Sequence, residues 1–259
     1  MTTAAKPTSS EGGHWYTKDG RPAYEVPYAD PRKGMRPTTL ADARKLGLLP
    51  SVTTILRVLD KPALTAWLIE QACLAVLTSP RNPNEELDAF VERILHTERV
   101  QDQEVTIARD RGTEIHAAME AALANLPYDP ELEPWIKPAC VALAGYGKTV
   151  ATEKIVVGSG YGGRVDLIQD GNEIWVWDYK TTKKLPKGGA WSEHVLQASA
   201  YAQALGSTGD KRIRTGNVYL STVDQGKFAV CEHGDWTETY EEGFKPLVQV
   251  WQHLNHYKP

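Results

Sequence analysis

The chain has 259 residues, 41% of them hydrophobic and 24% charged, with 29 Lys+Arg against 33 Asp+Glu and a net charge of −4. That composition excludes a disordered or collagenous chain, and no apolar run approaches the roughly 18–20 residues of a membrane helix. The small acidic excess excludes a protein that coats nucleic acid by charge alone, though not one with a local basic channel. Cys73, Cys140 and Cys231 lie far apart, so neither a disulfide framework nor a clustered zinc site is expected. The polar N-terminus lacks the apolar segment of a secretory signal, and the expectation is a reduced, cytoplasmic protein with no membrane partner. Its 8 Trp and 11 Tyr far outnumber its 3 Phe. This bias suits amphipathic surfaces, although core packing accounts for many of these rings equally well.

Residues 1–13 read as a flexible tail. His14-Trp15-Tyr16 and Ala23-Tyr24-Glu25-Val26 flank Lys18-Asp19-Gly20-Arg21, which predicts a β-hairpin. A stretch rich in Pro, Arg and Gly at 27–36 precedes a short helix over 39–48. Ser51, after Pro50, is the expected N-cap of a helix over 52–59. Leu64, Trp67, Leu68, Leu74 and Leu77 recur at helical spacing and predict a helix over 62–78. Asn84, followed by Glu85 and Glu86, is the expected cap of a helix over 84–95. Separate helices are expected over 101–125 and 131–149.

The pattern then changes. Segments 154–157, 164–168 and 173–179 are β-rich and are separated by glycine turns and Asp170-Gly171-Asn172. A helix over 191–205, strands at 213–221 and 227–231, and a last helix over 236–257 follow. Tyr240, Phe244, Leu247, Trp251 and Leu254 form an apolar stripe on that last helix, which Pro246 is expected to kink. The expected fold class is α+β: a central mixed sheet flanked by helices, in the order α-β-β-β-α-β-β, behind a helical lobe. One domain is expected over 14–259, with the hairpin and helical lobe in 14–100 and the core in 101–259.

Two glycine motifs mislead. Gly158 to Gly163 spells GxGxxG, but the fingerprint works only where the glycines lead into a helix, and here they lead into the strand-like Arg164-Val165-Asp166-Leu167-Ile168. A β-turn is the better account. Gly147-Lys148-Thr149 resembles the end of a P-loop, yet Ala142 stands where that motif needs its first glycine. No nucleotide cofactor is expected.

The informative segments are Gly163-Arg164-Val165-Asp166 and Trp177-Asp178-Tyr179-Lys180-Thr181. In a strand, residues i and i+2 share a face, so Asp178 and Lys180 project together with Tyr179 opposite. A surface ion pair is the plain alternative. Against it, Ile174-Trp175-Val176-Trp177 is as apolar as a central strand, and charges rarely close such a strand without a role. If residues 170–172 form a three-residue loop, Gln169 pairs with Glu173, and Asp166 and Asp178 share a face in diagonal positions. A two-residue loop puts them on opposite faces. Either the loop has three residues, with Gly or Asn in the left-handed region, or a bulge re-aims Asp178. Two converging carboxylates suit a hard divalent cation such as Mg²⁺ or Mn²⁺. A neighbouring lysine can position a water, help deprotonate it and stabilise charge developing on a phosphate.

With Arg111-Gly112-Thr113-Glu114-Ile115-His116 before them and Gln197-Ala198-Ser199-Ala200-Tyr201 after, these segments resemble the motifs of the PD-(D/E)XK nuclease superfamily, and within it the RecB-like exonucleases. The four motifs are G-x-x-x-H, G-x-x-D, (D/E)-x-K-T and Q-x-x-x-Y, in that order. The likeness covers about 105–232. Pro50-Ser51-Val52-Thr53-Thr54-Ile55-Leu56 is also similar to the opening segment of phage-type and mitochondrial-genome-maintenance-type exonucleases.

The resemblance implies a restriction-endonuclease-like core in which Asp166, Asp178, the backbone carbonyl of Tyr179 and His116 hold one or two Mg²⁺ or Mn²⁺ ions. It makes Lys180 the catalytic lysine. Gln197 and Tyr201, four apart on one helical face, would support the site and touch the DNA strand. Glu120, on the face of His116, and Glu153, early in the first strand, would be partners of the ligands. DNA contacts are expected from Arg111, Thr181, Lys183, Lys184 and Lys187, the lysines following the catalytic strand where phosphates would pass. Lys211, Arg212 and Arg214 are either a second DNA contact or plain surface, and His253 and His256 read as solvated helix residues. An iron–sulfur cluster of the kind some relatives carry is not expected, because only Cys231 follows the core.

The expected activity is a metal-dependent DNA exonuclease of recombination, repair or phage replication. The alternatives are a structure-specific or flap endonuclease and a catalytically silent DNA-binding module. By family habit, a single-strand annealing recombinase or another replication protein is a further expected partner. Residues 39–100 are expected to form a wall or arch beside the entering strand.

Overall fold

The computed structural model describes residues 14–259, and only the backbone at 31, 63–64 and 95–110. The N-terminal part is built from short pieces: β1 (Trp15–Tyr16), β2 (Glu25–Pro27), β3 (Met35–Pro37), α1 (Leu40–Leu46), β4 (Leu49–Pro50) and α2 (Val52–Leu56). The expected hairpin forms only in part. Its turn closes, with the Thr17 N–H on the Arg21 carbonyl and the Ala23 N–H on the Trp15 carbonyl, both at 2.8 Å. The two runs then part. β1 pairs with β4, and β2 pairs with β3 across the stretch rich in Pro, Arg and Gly. Pro22 and Pro27 in the second run have no N–H with which to continue a ladder. Ser51 caps α2 as expected, accepting the Thr54 N–H at 3.0 Å.

α3 (Pro62–Thr78) has its predicted span. The helices expected over 84–95 and 101–125 are instead one 37-residue helix, α4 (Leu87–Leu123), and Glu86 rather than Asn84 stands at its N-cap. The intervening His96-Thr97-Glu98-Arg99-Val100 holds neither Gly nor Pro, so nothing there stops a helix. α5 (Glu133–Leu143) ends well before 149. Gly147, at φ 138°, turns the chain with no room for a Cβ, which would lie 2.6 Å from the Asp170 backbone.

Five strands then form the central sheet in sequence order: β5 (Lys148–Gly158), β6 (Tyr161–Asp170), β7 (Ile174–Thr182), β8 (Ile213–Ser221) and β9 (Phe228–Glu232). Neighbours are antiparallel except for β7 and β8. That parallel pair needs a crossover, which α6 (Ser192–Leu205) supplies. The GxGxxG letters are the β5–β6 turn, with Gly158 paired to Tyr161 and Gly160 at φ 86°.

Alternation along β7 sorts its side chains between two cores. Ile174 and Val176 join the cluster that holds Val52, Ala200 and Phe244, whereas Trp175, Trp177 and Tyr179 join Ile115, Met119 and Ile136 from α4 and α5. Asp178 and Lys180 continue the α6 face. The last helix is not uniform: α7 (Trp236–Glu238) passes through a π-helical turn, Thr239–Phe244, into α8 (Lys245–Leu254). The expected kink is thus a π-turn placed just ahead of Pro246, whose missing N–H already breaks the regular ladder.

Candidate active site

The loop between β6 and β7 has three residues, as one of the two register arguments required, but it starts one position later, at Gly171. Asp170 pairs with Ile174 and Leu167 with Trp177. Asp166 and Asp178 therefore come opposite each other rather than diagonal. At this point the Asp166 carboxylate stands in for a backbone acceptor, taking the Tyr179 N–H on Oδ2 at 2.6 Å.

The motif glycines are where neighbouring elements touch. A Cβ on Gly112 would sit 2.6 Å from Thr181 Oγ1, so the bare backbone lets α4 close on β7 and brings His116, one turn later, within 3.3 Å of Asp166 Oδ2. A Cβ on Gly163 would sit 2.4 Å from the Tyr201 ring.

Asp178 is only 2% exposed and is surrounded by donors. Gln197 Nε2 donates to its Oδ1 at 2.8 Å and to the Tyr201 hydroxyl at 2.8 Å. Lys180 Nζ lies 2.8 Å from Oδ2, which also accepts from Asn217 Nδ2 at 2.9 Å. Asn217 was not among the expected site residues. Its signal in sequence is a lone amide in the run Ile213-Arg214-Thr215-Gly216-Asn217-Val218-Tyr219-Leu220, and only the β7–β8 register, which pairs it with Asp178, reveals its role.

On the other side, His116, Glu120 and Glu153 offer ligand atoms that all lie within 4.8 Å of one another. Glu153 adopts φ 50°, a conformation that costs an L-residue about 1–2 kcal/mol, and its carboxylate also meets Arg164. Burial, then the charge of Asp166, pushes the Glu153 carboxyl up to about 6. Burial likewise raises Asp178, against the opposing charge of Lys180. Burial alone would lower His116 and Lys180, yet the surrounding carboxylates leave both above their ordinary values. The carboxylates around His116 and Lys180 make the site a centre of negative potential, which a cation relieves. The donors are carboxylate oxygens and one imidazole, a set suited to Mg²⁺ or Mn²⁺.

Two connected cavities meet at His116 and Arg164. The smaller, about 170 Å³, holds Asp166, Asp178, Lys180, Gln197 and Tyr201 under a cover of His14, Tyr16, Tyr24, Ser51 and Thr53. The larger, about 730 Å³, is an open groove along Gly112, Thr113, Glu120, Glu153, Thr181, Thr182 and Lys183.

The remaining expected residues are dispersed. Lys184 and Lys187 are exposed beyond the groove. Arg111 lies over the Trp135 ring at 5.2 Å, outside both cavity linings. Lys211 pairs with Asp170, and Arg214 lies over Trp175 at 5.3 Å, both at the far end of the sheet, where Ile213 pairs with Ile174. His253 and His256, at the end of α8, lie 6.3 Å apart, ring to ring, away from the site.

A buried Asp-x-Lys strand facing an Asp-bearing neighbour, in a mixed sheet between helices, is consistent with a restriction-endonuclease-like fold. Residues 133–252 match the family model of the PD-(D/E)XK nuclease superfamily. The matched segment includes Asp166, Asp178, Lys180, Gln197 and Tyr201 and begins after His116. No curated protein matches the chain. Among solved structures, the crystal structure of SSO0001 is similar over 73% of this chain and 87% of its own, at 14% identity and a TM-score of 0.28, too low to carry an argument. No helix among the described residues is long and apolar enough to cross a membrane.

Proposed function

We propose that the protein is a metal-dependent DNA exonuclease of the RecB-like type, hydrolysing phosphodiester bonds from a DNA end in recombination, repair or phage replication. The observation that carries this reading is the meeting of Asp166, Asp178, Lys180 and His116 at one small covered chamber. Asp166, Asp178, the Tyr179 carbonyl and His116 would hold the cation, with Glu120 and Glu153 beside it. When bound, the ion supplies Lewis-acid polarisation of the scissile phosphate. Lys180, held on Asp178, is aimed to orient the attacking water and to stabilise negative charge as it develops. Gln197 fixes the Asp178 carboxylate and links it to Tyr201. Thr181, Thr182 and Lys183 would lead the strand along the groove.

The cover supports entry by an end. His14, Tyr16, Tyr24, Ser51 and Thr53 line the chamber together with Asp166 and Asp178, so a strand that reaches the carboxylates passes these side chains. The open groove favours the second reading, a flap or structure-specific endonuclease, because an unbroken strand fits along it. The likeness of the motifs to RecB-like and phage-type enzymes supports a cytoplasmic setting and a replication or annealing protein as partner.

Digestion of end-labelled linear DNA and covalently closed circles with Mg²⁺, Mn²⁺ or EDTA, alongside Lys180→Ala, tests the proposal. Metal-dependent loss of linear DNA alone, abolished by the substitution, is expected. Cutting of circles moves the assignment to the endonuclease. Binding without cleavage of any substrate makes the protein a silent DNA-binding module.

A further inference from the structure

The cover of the chamber has a chemistry of its own. His14 and Tyr24 stack with ring centroids 4.6 Å apart and planes 27° apart. Tyr24 donates its hydroxyl to that of Tyr16 at 2.9 Å, and the two tyrosine rings meet edge to face at 5.6 Å. All three rings line the chamber that holds Asp178 and Lys180. His14 is exposed and Tyr24 half-buried.

The platform is fixed relative to the carboxylates. The Ser51 N–H bonds the His14 carbonyl at 2.9 Å, and Ser51 bridges to Gly162 on β6, four residues before Asp166. The Thr38 N–H bonds the Tyr24 carbonyl at 2.9 Å. Burial, then the charges of Arg164 and Arg57, lowers the His14 pKa.

Resting on the nuclease reading, we propose that His14 and Tyr24 are a stacking platform for one unpaired nucleobase of the strand being cut, next to the phosphate in the chamber. A nucleotide whose phosphate sits on the Asp166 and Asp178 carboxylates carries its base beside them, where these rings line the same chamber. A paired base must leave its duplex to stack there, at the cost of unpairing. The platform therefore selects single-stranded or frayed ends. Stacking on an aromatic ring is indifferent to sequence, as end digestion requires.

The test uses the full-length chain carrying Lys180→Ala, so that DNA binds uncut, and single-stranded oligonucleotides with 2-aminopurine at successive positions from each end. Quenching is expected at one or two adjacent positions and absent for the same label inside a blunt duplex. His14→Ala and Tyr24→Leu remove it and lower single-strand affinity on the order of tenfold by anisotropy, whereas Tyr24→Phe keeps both. Uniform response along the strand, or unchanged quenching in His14→Ala, overturns the proposal. His14 is exposed, so its truncation reads the platform even if Tyr24→Leu fails to fold. Localised quenching, with no cleavage by the unsubstituted protein, overturns the nuclease reading alone. Cleavage without localised quenching overturns the platform alone.

Discussion

Asp178 and Asp166 face each other across the gap between β7 and β6, yet the two walls they belong to are built differently. Around Asp178 the protein supplies every partner: Gln197, Asn217 and Lys180 occupy both carboxylate oxygens, and almost nothing is exposed to solvent. Around Asp166 it supplies one backbone N–H and a histidine, then leaves Glu120 and Glu153 half-buried at an open groove. The first wall is held by protein donors on both oxygens, so a cation shared with Asp178 competes with Lys180 and two amides. The second gathers negative charge that folding alone does not neutralise, which is where a cation and a substrate have work to do. A single site can thus keep one side rigid and leave the other dependent on what binds.

The contrast is broken most easily by removing each carboxylate. Asp178→Ala leaves the Lys180 ammonium and two amide donors buried without their acceptor. It should cost about 3–5 kcal/mol of stability in urea unfolding, whereas Asp166→Ala should cost less than half of that. Equal losses would erase the distinction between the walls.

A second effect locates acid sensitivity outside both. His233 is buried with Nδ1 on Thr215 at 3.1 Å and, among the described residues, no partner on Nε2, and burial holds its pKa near 4, below the unfolded value near 6.5. The stability it contributes is complete above pH 6.5 and is lost as the pH falls through about 4. Unfolding measured between pH 7 and 4 should show a loss of roughly 2–3 kcal/mol that His233→Gln flattens.

Asn217→Ala sharpens the rigid wall. It withdraws an amide from buried Asp178 and should cost about 1–3 kcal/mol, with cleavage falling alongside stability. His116→Ala should do the reverse, weakening divalent-ion affinity about 10–100-fold while thermal unfolding without metal is nearly unchanged. A titration of cleavage against Mn²⁺ reads that difference. Lys211→Ala, at the opposite end of the sheet, should change stability by no more than about 0.5 kcal/mol and DNA affinity not at all; a clear drop in affinity would return that cluster to the DNA path.

How much of this was legible before the coordinates depended on the range over which each cue acts. Period-2 alternation put Asp178 and Lys180 on one face, and the four motifs named His116, Asp166, Gln197 and Tyr201 without reference to contacts. The parity of the β6–β7 register could be argued, although which three residues turn could not, because Asp170 and Glu173 serve equally as strand or loop. Asn217 was invisible for a different reason. Its meaning lies in a parallel pairing reached only through α6, and no local pattern announces a partner 39 residues away. The cover formed by His14, Tyr16 and Tyr24 escaped likewise, since a hairpin is the natural reading of those runs until prolines divert the second strand. The false break in α4 came from reading a polar stretch as a stop where neither Gly nor Pro supplies one.

The central claim is that a cation held by Asp166 together with Asp178 and His116 drives hydrolysis assisted by Lys180. Single-turnover cleavage of end-labelled single-stranded DNA, followed across a Mg²⁺ titration for the unsubstituted protein and Asp166→Asn, tests it most directly. Asparagine keeps the shape and can still accept the Tyr179 N–H, so the fold is preserved. The account predicts saturable cleavage that EDTA abolishes and that Asp166→Asn does not recover at any Mg²⁺ concentration. Cleavage that persists in EDTA, or that Asp166→Asn leaves intact, would contradict it.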